Sequence, residues 1–147
     1  ADPQPLPSLD SEANRKPGSL VTPLQVGLLT PNMRQADQRD ATICRTSYRH
    51  AYWTVAQMVT HHTVNGCNLQ PGDLFGSGTL SGPTLDQAGA LIELTAGGKN
   101  PLTLPNGESR TYLEDGDAVV IRGWCEKAGA ARIGFGECVG TVLPARM

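Results

Sequence analysis

LEDGDAVVIRGWCEKAGAARIGFGECVGTVL, residues 113–143, decides the fold class. Asp115-Gly116-Asp117 is turn chemistry, because Gly reaches positive φ without strain and Asp can hydrogen-bond its own backbone. Two apolar runs follow, 118–127 and 132–143, and each reads as a strand. Residues 119–121 and 133–135 are apolar enough for a buried sheet face. The same grammar extends upstream. Strand candidates at 73–80, 89–95 and 110–113 are separated by Pro71-Gly72, Ala96-Gly97-Gly98 and Pro105-Asn106-Gly107. Leu24, Val26 and Leu28 alternate within 20–30, and Pro31 stops that run. Pro23 places the strand at a sheet edge or starts it late. Residues 41–46 form a further short candidate. The chain therefore reads as mainly β.

One principal helix interrupts it. Tyr48, Tyr52, Val55 and Val59 recur at helical steps and make one apolar face. Ser47 is the predicted N-cap, the helix runs to about His62, and Asn65-Gly66 ends it. Residues 33–40 are polar and read as a loop or short exposed turn. Residues 1–19, with Pro3, Pro5, Pro7 and Pro17, read as a Pro-rich arm or linker preceding one domain from 20 to 147.

Composition narrows function. The 147 residues carry 12 Lys+Arg against 14 Asp+Glu, a net charge of −2, with no basic run to serve nucleic acid or an anionic membrane. No stretch approaches the ~18 apolar residues of a membrane-spanning helix. Gly 17 and Pro 11 suit a turn-rich β chain better than a helix bundle. The four cysteines, Cys44, Cys67, Cys125 and Cys138, contain no Cys-x-x-Cys pair, which argues against zinc. They read as reduced, mostly buried thiols of a cytoplasmic protein. The chain begins at Ala1 without a signal segment, and reads as a mature product or a piece of a longer protein.

Several residues could carry chemistry. Glu93 lies in Ala90-Leu91-Ile92-Glu93-Leu94, an apolar run where a buried carboxylate needs a cation, a His or donors. Strand alternation pointing it outward is the alternative. Thr79 sits in Gly76-Ser77-Gly78-Thr79-Leu80-Ser81-Gly82-Pro83, where small residues admit a ligand close to the backbone or simply bend a sheet. His61 and His62 point about 100° apart on a helix, so they do not share a metal, and a helix C-terminus favours a cation there. His50 reads as a surface residue. Asp115 and Asp117 fit a turn better than a calcium loop, which needs further ligands.

From residue 41 onward the sequence strongly resembles the C-terminal part of the catalytic domain of the fumarylacetoacetate hydrolase family. The matching text is Ala-Thr-Ile-Cys (41–44), Tyr-Trp-Thr (52–54), His-His-Thr-Val-Asn-Gly-Cys-Asn-Leu (61–69), Pro-Gly-Asp-Leu (71–74) and Ser-Gly-Thr-Leu-Ser-Gly-Pro (77–83). It continues in Leu-Glu-Asp-Gly-Asp (113–117), Arg-Ile-Gly-Phe-Gly-Glu-Cys (132–138) and Val-Leu-Pro-Ala (142–145). Run 61–83 is the most specific. Gln70, Ala96 and Ala131 depart from the family pattern.

The resemblance implies a mixed β-sandwich roll and the hydrolysis of a carbon–carbon bond in 4-fumarylacetoacetate, giving fumarate and acetoacetate at the last step of tyrosine and phenylalanine catabolism. It implies a His that activates water, Glu93 as the catalytic carboxylate that steadies it, and Thr79 as a substrate-binding hydroxyl. It also implies a divalent metal (magnesium and calcium) and a homodimer. The His and the metal ligands are expected upstream of this chain, which by itself is expected to be inactive. The competing readings are another diketone or acylpyruvate hydrolase or decarboxylase of the superfamily, and a non-catalytic β-rich binding module.

Overall fold

The computed structural model describes residues 4–12 and 21–146. Parts of the expected arm, residues 1–3 and 13–19, lie outside the described residues, as does Leu20 at the start of the expected strand 20–30. The chain divides into two compact units.

The larger unit spans 21–50 and 79–147. It is built on a four-stranded antiparallel sheet of β1 (Pro23–Leu29), β2 (Ala41–Ser47), β5 (Ala118–Cys125) and β6 (Ile133–Thr141), in the order β2-β1-β5-β6. The strands read around 20–30, 41–46, 118–127 and 132–143 are thus present. Pro23 is the first residue of β1, so a strand with neighbours on both sides loses no interior ladder donor. A two-stranded sheet, β3 (Leu102–Thr103) with β4 (Ser109–Arg110), turns at Pro105-Asn106-Gly107, where Gly107 has φ +85°. Of the expected strand 110–113 only Arg110 is extended, as the last residue of β4.

The core gathers Leu28, Met33, Ala41 and Leu104, with Leu29, Ile43 and Leu102 packed against them. Met33 reaches it from α1 (Pro31–Gln35), a short helix that takes up the start of the segment 33–40 expected as a loop or short exposed turn, while 36–40 are turn and irregular. Pro31 has the fixed φ suited to a first turn, and Thr30 caps it by accepting the Met33 N–H at 3.1 Å. The expected buried face of β6 is absent: all nine residues are exposed, Ile133 at 61% and Phe135 at 66%. β6 is a sheet edge, and nothing described covers its face.

Two clusters of charge lock the loops to this sheet. Arg110 donates Nε to Asp117 Oδ2 at 2.8 Å and Nη2 to Oδ1 at 3.1 Å, and Asp117 also accepts the Glu114 N–H. Asp117 is fully buried, so the Asp-Gly-Asp segment is a turn anchored by its second carboxylate, with Gly116 at φ +88°. Arg122 on β5 clamps Asp40 with two bonds of 2.7 and 2.8 Å and Glu137 with a third of 2.7 Å.

The smaller unit comprises 1–20 and 51–78. Its helix α2 runs from Val55 to Thr63, with Thr54 and Gln57 forming a reciprocal capping box. The helix therefore begins well after the expected Ser47. Ser47 ends β2, and the Tyr48 N–H is already committed to the Thr22 carbonyl at 2.9 Å, so residues 48–50 form only a 3₁₀ turn. Of the arm, Pro7–Leu9 is a 3₁₀ turn, and Gln57 Nε2 donates to the Leu9 carbonyl at 3.1 Å. Residues 73–80, expected as a strand, have no regular structure and are mostly exposed. No helix among the described residues is long and apolar enough to cross a membrane.

Candidate active site

The segment 79–95 of the larger unit folds back on itself. Gly82 N–H donates to the Gln87 carbonyl at 3.0 Å, and residues Leu85–Gln87 make a 3₁₀ turn between them. Gly89 lies so close to 79–80 that an added Cβ would stand 2.6 Å from the Leu80 carbonyl oxygen and 2.9 Å from Thr79 Cγ2. A glycine is required there by close approach of backbone to backbone. After it, Leu91–Leu94 form a one-turn helix, α3, instead of the strand expected over 89–95. The Thr95 N–H and hydroxyl both close on the Leu91 carbonyl, and Ala96, Gly97 and Gly98 follow at positive φ and stop the helix. An apolar run this short carries no periodicity that separates strand from helical turn.

Glu93 stands on α3, exposed, with its Oε2 accepting the Ser81 hydroxyl at 2.6 Å. The Gly89 N–H donates in turn to Ser81 Oγ at 3.0 Å. The expected inward-facing strand position of Glu93 is thus replaced by an exposed helical one whose carboxylate is oriented by a hydroxyl. Among the described residues its Oε1 carries no hydrogen bond. Thr79 is exposed in an irregular segment, its methyl against Gly89. Thr79 and Ser81 thus both meet Gly89, and Ser81 links it to Glu93. Ser81 was not singled out by the sequence reading. Its signal is the alternation of Thr79 and Ser81 among small residues, which marks two hydroxyls as readily as one.

Burial pushes the Cys44 thiol on β2 up from its ordinary value, and the carboxylates of Asp86 and Glu93 add to that. Such a carboxylate can orient and charge-stabilise an imidazole, while neighbouring hydroxyls can bind an anionic group.

The other sequence candidates lie elsewhere. His50 ends the 3₁₀ turn and lines a cavity of about 370 Å³ with Arg45, Arg49, Gln87 and Trp124, so it is half-buried and not a plain surface residue. His61 lines an apolar cavity of about 410 Å³ with Leu6, Leu9, Trp53 and Met58, whereas His62 turns to Cys67. All four cysteines are free, but only Cys44 is buried; Cys125 is half-buried, and Cys67 and Cys138 are exposed. Among the described residues no three His, Cys, Asp or Glu side chains cluster as a metal site requires, and Asp40 and Asp117 are engaged by guanidinium groups. The described residues do not fit a metal centre of their own.

The family described as fumarylacetoacetate (FAA) hydrolase C-terminal matches residues 20–143. The chain is 48% identical over 144 residues to a fumarylacetoacetase of Homo sapiens, covering 98% of this chain and 32% of that protein. It is 45% identical over 143 residues to one of Arabidopsis thaliana, covering 97% and 32%. To one of Caenorhabditis elegans it is 48% identical over 122 residues, covering 83% and 29%. The chain spans about a third of the length of the curated relatives it matches.

Proposed function

The chain belongs to the fumarylacetoacetate hydrolase family, and from that premise we propose that it is a segment of a longer enzyme that cleaves a carbon–carbon bond of fumarylacetoacetate with water. The observation that carries the reading is the Ser81–Glu93 pair, a carboxylate fixed at one oxygen and open at the other. Glu93 Oε1 accepts the N–H of a histidine contributed by the rest of the parent enzyme. The opposite ring nitrogen then takes a proton from water, and Glu93 stabilises the imidazolium. The water oxygen bonds to the carbonyl carbon, the neighbouring carbon–carbon bond breaks, and the departing enolate takes a proton. The products are fumarate and acetoacetate, at the last step of tyrosine and phenylalanine breakdown. Thr79 donates to a carboxylate of the substrate.

The divalent metal of this family (magnesium and calcium) would be held by residues outside this chain, and no step above depends on residues here binding it. The parent is a cytoplasmic homodimer whose catalytic domain is a mixed β-sandwich roll. One feature of the larger unit supports a longer parent: β6 exposes Ile133, Phe135 and Val139, apolar side chains that further chain would cover.

The test is Glu93→Gln in the parent enzyme. It keeps the volume and one acceptor but loses the charge, and kcat should fall about 10²–10⁴-fold with folding intact. The isolated 147-residue chain, given fumarylacetoacetate and magnesium, should consume no substrate above the blank. An unchanged kcat in Glu93→Gln, or turnover by the isolated chain, overturns the assignment.

A further inference from the structure

Outside the proposed active site, the smaller unit holds a nucleophile–base pair. Cys67 Sγ lies 3.2 Å from His62 Nε2, and both residues are exposed. The pairing is built into the end of α2. The Gly66 N–H closes on the Thr63 carbonyl at 2.9 Å, and the Cys67 N–H donates to Asn65 Oδ1 at 3.1 Å. With Gly66 at φ +88°, the chain turns sharply enough for residue 67 to reach back to residue 62. The edge of Phe75 holds the imidazole from another side, ring centroids 5.1 Å apart at 72°. His62 occupies the last turn of α2.

We propose that Cys67, with His62 as its base, is a reactive-thiol site that takes soft carbon electrophiles of the α,β-unsaturated carbonyl class. A nucleophile within hydrogen-bond reach of an imidazole is the arrangement that generates a thiolate, the reactive form of cysteine. His62 Nε2 takes the thiol proton. Sulfur bonds to the β-carbon of the electrophile as the carbon–carbon π bond breaks, and the proton passes to the α-carbon. Nothing leaves, and no oxidant or reductant is needed. The other three thiols lack this pairing: Cys44 is buried, Cys125 faces the Thr22 hydroxyl at 3.5 Å, and Cys138 lies exposed on β6 with no imidazole beside it among the described residues. The site is independent of the carbon–carbon hydrolysis proposed above.

Cys138 is the internal reference. The chain is treated with limiting N-ethylmaleimide at neutral pH, and adducts at the four cysteines are followed by peptide mass spectrometry. Cys67 should be labelled about tenfold faster than Cys138 or more. The two rates should converge in concentrated urea. His62→Gln should bring Cys67 down to the Cys138 rate while amide hydrogen exchange in peptides of α2 stays as slow as before, which reports that the smaller unit is kept. Equal native rates for Cys67 and Cys138 overturn the proposal without any variant. So does a folded His62→Gln chain in which Cys67 is labelled as fast as before.

Discussion

Ser81 donates its hydroxyl to Glu93 across twelve residues of chain, at 2.6 Å, and is itself held by the Gly89 N–H. A carboxylate on an exposed one-turn helix would otherwise sample several rotamers. The hydroxyl fixes one oxygen and leaves the other to a partner. Gly89 is the pivot, because only a residue without Cβ permits the close packing that sets Ser81 opposite Glu93.

Ser81→Ala in the parent enzyme removes that hydroxyl and leaves Glu93 unoriented. A hydrogen bond to a charged group is worth about 1.5–3 kcal/mol, so kcat should drop roughly tenfold to a hundredfold with little change in KM. Added to Glu93→Gln, the change should cost much less than it does alone, because the two residues act as a unit. Additive losses in steady-state kinetics would show that Ser81 acts by some other route.

Thr79→Val keeps shape and removes the hydroxyl proposed to bind substrate. The expected loss in kcat/KM is again roughly tenfold to a hundredfold. The methyl that packs beside Gly89 is retained, so the melting temperature should not move. Unchanged kcat/KM in a folded variant would leave Thr79 as no more than part of the loop.

Gly27→Ala should destabilise the sheet. The bulge between Val26 and Gly27 brings the Asp40 carboxylate over Gly27, where an added Cβ would stand 1.7 Å from Oδ2 and 3.0 Å from Cβ of Asp40. Asp40 must move, and its two bonds to Arg122 go with it. Overpacking of this kind costs about 1–3 kcal/mol in chemical denaturation. The penalty should shrink in an Asp40→Ala background. An equal penalty there would place the cost in the backbone and not in the carboxylate.

Stability should fall in acid. The hydrogen bonds from Arg122 hold the Asp40 carboxyl below its usual range, and those from Thr30, Asn106 and Asn32 hold Glu108 below its own. A carboxyl depressed on folding contributes stability that is fully present above its unfolded value, about 3.9 for Asp and 4.3 for Glu. That contribution is lost as the pH falls through the lower folded value. Urea midpoints should be flat from neutrality to about pH 5 and decline below it. Arg122→Met should be less stable at neutral pH and show a shallower acid decline. A decline as steep as that of the unaltered chain would exclude the Asp40–Arg122 pair as its source.

Alternation between Pro23 and Pro31, a short candidate at 41–46 and two apolar runs after Asp115-Gly116-Asp117 determined β1, β2, β5 and β6 from the sequence alone, because strand alternation and turn chemistry are local properties. The family was legible in the same way, since run 61–83 is read without knowing where its side chains lie. Glu93 and Thr79 were visible as residues, but their setting was not. Ala90-Leu91-Ile92-Glu93-Leu94 suits a strand or a helical turn equally well, and hydrogen bonds to the Ala90 and Leu91 carbonyls made it a turn. The start of α2 passed from Ser47 to Thr54 because the Tyr48 N–H was claimed by Thr22, a residue 26 positions away in sequence whose proximity only the folded sheet creates. Ser81 became the partner of Glu93 for the same reason. Which donor meets which acceptor across a loop is decided by close approach at Gly89, and close approach is a property of the packed chain.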